Sequence, residues 1–108
     1  MIGEDAKRGV LTSPNYPMLY PSNHDSTQNI VVPSGKIIRW VFTDFNTEFE
    51  EDYVQVVDGD GTELTSELYG SRVRRRHSGF SKTSIVQVKF HTDSSNQRSG
   101  WRLQWYEQ

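Results

Sequence analysis

Cysteine is absent from the 108-residue chain. Disulfides and thiolate metal sites are therefore excluded, and the fold must hold without covalent staples. Long apolar runs are missing too: nothing approaches the roughly 20 residues of a membrane-spanning helix. The opening MIGEDAKRG has no apolar core of the kind a secretory leader carries. There is no excess of positive charge. A formal charge of −2 gives no general attraction to a phosphate backbone, so nucleic acid is not the expected partner. Helical periodicity, internal repeats and low-complexity tracts are all scarce or absent. What remains is a polar chain, 33% hydrophobic and 24% charged, with five Phe, five Tyr and three Trp to build a core. That length fits one domain spanning 1–108.

Short runs of alternating apolar and polar residues recur between clusters of Pro, Gly, Ser, Asn and Asp. They cover 9–13, 28–32, 36–45, 52–59, 67–70, 84–93 and 101–107. The pattern predicts an all-β protein, a two-sheet antiparallel β-sandwich. PSG at 33–35 and DGDG at 58–61 predict turns, the second a hairpin. The irregular segment 13–27 carries two Tyr-Pro pairs that stiffen it. Trp40, Trp101, Trp105, Phe42, Phe45 and Phe90 are expected in the core or on sheet faces.

Four stretches, in order, carry a family resemblance. GVLTSPNYPMLYPSN (9–23) is similar to the opening of a CUB domain, and NIVVPSGKIIRWVFTDFNTE (29–48) to its strand, Pro-x-Gly turn, strand and Phe-x-x-x-Glu ending. DYVQVVDG (52–59) resembles its Asp-Tyr-Val strand, and VQVKFHTDSSNQRSGWRLQW (86–105) its last hairpin. The resemblance spans about residues 9–106 and implies a CUB-like jelly-roll. The chain departs from the usual pattern in lacking cysteine. Tyr69 stands in place of one cysteine, Ser26 lies close to where another is expected, and the segment from Glu48 to Asp52 is shorter.

Calcium-binding members of the family hold the ion at one end of the sandwich. Carried over by position, the resemblance implies Glu48, Asp52 and Asp93 as carboxylate ligands to Ca2+. It adds the Ser95 backbone carbonyl and the Asn96 side-chain amide, with Tyr20 supporting the glutamate by a hydrogen bond. The residues agree independently: three acids at one end of a sandwich repel one another without a cation, and an all-oxygen donor set suits calcium. The resemblance further implies a protein partner whose Lys or Arg meets Glu48, Asp52 and Asp93, with Tyr20 beside them. The expected function is a non-catalytic, calcium-dependent interaction module of a larger extracellular protein with other domains.

The run RVRRRH (72–77) supports a different reading. Arg72, Arg74, Arg75 and Arg76 could take an acidic polysaccharide or anionic lipid headgroup through bidentate contacts. The alternative is thus a calcium-independent structural or polyanion-binding module, of a kind an intracellular protein could also carry. HDS at 24–26 holds the residue types of a hydrolytic triad, but three consecutive residues in a turn point apart and cannot converge. His24, His77 and His91 lack zinc-site spacing and are expected at the surface or at strand ends.

Overall fold

The structure, a computed structural model, describes residues 7–48, 51–71 and 77–108. Seven strands follow one another: β1 (Arg8–Thr12), β2 (Asp25–Val31), β3 (Ile38–Asn46), β4 (Tyr53–Asp58), β5 (Ser78–Phe80), β6 (Ile85–His91) and β7 (Gly100–Glu107). They form two antiparallel sheets, ordered β1-β7-β3-β5 and β2-β6-β4. The sandwich expected from the alternating pattern is what the chain forms.

Alternation decides which face of each strand is buried. On β3, Ile38, Trp40 and Phe42 point inward while Arg39 faces out; on β6, Val86, Val88 and Phe90 are buried between exposed Ile85 and Lys89. The aromatic residues meet edge to face. Phe42 lies against Trp40, Phe45 and Trp101, with ring centroids 5.3 to 6.1 Å apart, and Phe90 bridges Trp101 and Tyr20. This is the arrangement that ring quadrupoles favour. Trp105 is only partly buried and packs on the edge of the cluster.

Both predicted turns are present. Lys36 N–H donates to Pro33 C=O across PSG, and Gly61 N–H to Asp58 C=O across DGDG. Past DGDG the chain runs back along β4, through bridges Val57–Glu63 and Val54–Leu68. The expected strand at 67–70 is accordingly only a bridge at Leu68: Gly70 takes φ +106 and turns the chain away. Asp58 is buried, and its carboxylate accepts from the amides of Gly59, Lys82 and Thr83 and from the Thr83 hydroxyl. That ties the hairpin to the connection between β5 and β6.

One further expectation changes. Asp25 and Ser26 open β2 rather than lying in a turn, so their side chains point to opposite faces of the sheet. His77 stands immediately before β5, at a strand end, one of the two places expected for it, and is 1% exposed, packed against Phe42 and Phe45. The arginines at 72, 74, 75 and 76 lie outside the described residues.

Candidate metal centre

The strand order brings three loops to one end of the sandwich. Glu48 follows β3 of the four-stranded sheet, Asp52 precedes β4 and Asp93 follows β6, and β4 and β6 are paired at that end through Tyr53 and His91. The three carboxylates each offer an oxygen within 4.8 Å of the others. The site therefore spans both sheets.

Backbone and side-chain contacts hold it. Thr47 anchors the chain entering the site: its N–H donates to Gly70 C=O, and its hydroxyl donates to Asp52 C=O at 3.2 Å and accepts from Gly70 N–H at 3.1 Å. Asp52 is 0% exposed. Its Oδ2 accepts from the Tyr20 hydroxyl at 2.5 Å, and its Oδ1 from the Asp93 amide at 2.8 Å. The Tyr20 hydroxyl in turn accepts from the Glu48 amide at 3.1 Å. Tyr20 N–H donates to Arg98 C=O, and Asn23 N–H to Asp93 C=O, so the 13–23 segment is laced to the loop after β6. Asp93 Oδ1 accepts from Ser95 N–H at 3.1 Å, and Asn96 takes a left-handed backbone, φ 61.

The electrostatics follow from this crowding. The Glu48 carboxyl is pushed above the ordinary carboxylate range, first by desolvation; Asn96 hydrogen bonding pulls it down, and the charges of Asp93 and Asp52 push it up. The Tyr20 phenol is pushed well above its usual value, first by burial and then by its hydrogen bond to Asp52. Glu48 Oε1 is shielded from water and has no hydrogen-bond donor among the described residues. A desolvated, unpartnered anionic oxygen next to two more carboxylates is what a cation would satisfy. Asp52 has further lone pairs available beyond its two hydrogen bonds.

The sequence-derived residues divide clearly. Glu48, Asp52 and Asp93 converge, and Asn96 acts on Glu48, while Ser95 contributes its amide to Asp93. Tyr20 grips Asp52 and the Glu48 amide rather than the Glu48 carboxylate. Tyr20 is 1% exposed and Asp52 0% exposed, so both lie beneath the surface of this loop cluster. Glu48 and Asp93 are half-buried. Thr47 went unnoticed in the sequence, because nothing marks one threonine among the polar residues of a turn as a brace.

Residues 4–105 match the family model described as CUB domain. Human cubilin is 31% identical over 104 residues, covering 90% of this chain and 3% of its own length. The calcium-dependent serine proteinase of Mesocricetus auratus is 32% identical over 108 residues, covering 87% of this chain and 15% of its own length. The chain thus spans only a small part of these relatives. Among solved structures, the CUB1-EGF-CUB2 region of human MASP-1/3 superposes with a TM-score of 0.82 at 31% identity, over 94% of this chain and 41% of that one. The full extracellular region of zebrafish Gpr126/Adgrg6 gives 0.81 at 26%, over 93% and 13%. The MASP-1 CUB2 domain bound to Ca2+ gives 0.76 at 24%, over 91% and 90%, a likeness of fold.

Proposed function

The chain belongs to the CUB domain family, and from that premise we propose that it is a non-catalytic interaction module whose loops are organised by Ca2+. One observation carries the reading: three carboxylates from two sheets converge within 4.8 Å, with Glu48 Oε1 occluded and without a hydrogen-bond partner among the described residues. Glu48, Asp52 and Asp93 would hold the ion, joined by the Ser95 carbonyl and the Asn96 amide oxygen. Bound calcium would neutralise the repulsion and lock the three loops together. Oxygen donors on separate loops suit calcium's variable coordination better than the strict octahedron of magnesium. The name of the Mesocricetus auratus relative, a calcium-dependent proteinase, agrees.

Once the ion is in place, the outward oxygens of Glu48 and Asp93 would accept charge-assisted hydrogen bonds from a Lys or Arg of a partner protein. Asp52 and Tyr20 serve beneath them as the fixed floor. Membership of a larger extracellular protein fits the zebrafish relative, an extracellular region of which this fold covers 13%.

Thermal unfolding in chelator, then in calcium or magnesium, tests the reading. Calcium at about 100 times its dissociation constant should stabilise the fold by about 2.7 kcal/mol. Asp93→Ala should abolish that rise. Equal midpoints in chelator and millimolar calcium would overturn the calcium reading and leave the family assignment standing.

A further inference from the structure

The outer face of the four-stranded sheet carries a line of side chains unrelated to the acid cluster. In register across the sheet, Arg8 of β1 lies beside Tyr106 of β7, Tyr106 beside Arg39 of β3, and Arg39 beside Phe80 of β5. Their neighbours set the direction. A Cβ on Gly9 would come within 2.8 Å of the Trp105 ring, and one on Gly79 within 2.8 Å of Trp40, so both glycines face inward. Side chains alternate along a strand, so Arg8 and Phe80 point away from the core. Cation and aromatic thus alternate over three strand spacings of about 4.8 Å, a line about 14 Å long.

Three of the four side chains in this line are exposed, Tyr106 being half-buried. Both arginines are exposed, and Phe80 is 54% exposed. Among the described residues the ion pair formed is His91–Asp25, on the other sheet, and neither Arg8 nor Arg39 meets a carboxylate. The Arg39 guanidinium lies over the Tyr106 ring, with Cζ 5.6 Å from its centroid, which holds the planar fork in place. With its oxygen turned toward Arg102, Gln104 accepts from both terminal nitrogens of that guanidinium at 3.1 and 3.2 Å, and its amide donates to the Tyr106 hydroxyl at 2.9 Å. A third arginine is therefore tied to the same row.

We propose that this face binds a sulfated polysaccharide, with Arg8 and Arg39 taking sulfate groups and Phe80 the C–H face of a sugar ring. A guanidinium offers parallel N–H donors suited to tetrahedral oxyanions. Two of them separated by two strand spacings match anions repeated along a line, as on a sulfated chain. Nucleic acid fits less well. Arg39 covers the Tyr106 ring, leaving Phe80 as the one aromatic face of this row on which a base could stack. The face does not include Glu48, Asp52 or Asp93 and does not depend on calcium.

Calorimetric binding of a heparin-derived oligosaccharide to the full chain, in chelator and over a salt series, tests this. Arg8→Gln with Arg39→Gln should weaken binding about tenfold or more and lower the logarithmic salt slope by about 2. Phe80→Ala should weaken binding without changing that slope. Asp93→Ala should bind as wild type. No binding by the wild type, wild-type affinity in the double arginine variant, or tighter binding of oligo-dT or polyglutamate would each overturn the proposal. All three substituted side chains are exposed, so the variants keep the core, and melting curves verify that they are folded.

Discussion

Tyr20 does the most at the smallest scale. Its ring is part of the core, edge-on to Phe90, while its hydroxyl sits between Asp52 and the Glu48 amide. One side chain therefore couples packing to the geometry of the acids. Tyr20→Phe keeps the ring and leaves an Asp52 oxygen and the Glu48 N–H unpaired. It should cost about 1–3 kcal/mol of stability and weaken calcium binding about 10–100-fold, measured by melting and calcium titration. Unaltered affinity would show that the hydroxyl does not orient the ligands. The resemblance named Tyr20 as a supporting residue, yet its partners became legible only in three dimensions. The same holds for Asp52: an acid before an alternating run reads as a turn residue, and its burial depends on chain segments 32 and 41 positions away.

At the scale of elements, β7 depends on how it starts. Gly100 has φ +92, and a Cβ there would lie 1.8 Å from Ser13 Oγ, the atom that accepts from Trp101 N–H at 3.0 Å. Here the chain turns from the loop carrying Asp93 into the strand that pairs with both β1 and β3. Gly100→Ala combines a left-handed backbone with a steric clash in a buried corner. It should destabilise the protein by about 3 kcal/mol or more, read from denaturant midpoints at constant slope. A loss below about 1 kcal/mol would mean that the corner relaxes readily. Six of the strands were visible as alternating runs because each buries one face. β5 was not: it has three residues, and its inward one is glycine, which leaves room for Trp40 instead of presenting an apolar side chain. The run at 67–70 misled in the opposite direction, since its alternation belongs to a segment that touches β4 at one bridge and then turns away.

Across the whole molecule, the acids meet the core at Tyr20 but supply none of its apolar packing. The buried cluster runs between the sheets from Ile30 and Ile38 to Leu103, while the carboxylates cap one end. The chain should therefore keep its fold in chelator, with near-ultraviolet circular dichroism retained, unlike small domains in which the metal supplies the folding energy. Loss of that signal without calcium would mean that repulsion among Glu48, Asp52 and Asp93 exceeds what the core supplies. The sequence by itself determined the sandwich class, the two turns and the aromatic core, because alternation and turn chemistry act over a few neighbouring residues. Motif order also made the three acids recognisable. The tertiary structure alone decided which acid is buried, what Tyr20 holds, and that Arg8, Tyr106, Arg39 and Phe80 stand in one row. Those relations arise where strands distant in sequence pair in a particular order and register, which no local pattern encodes.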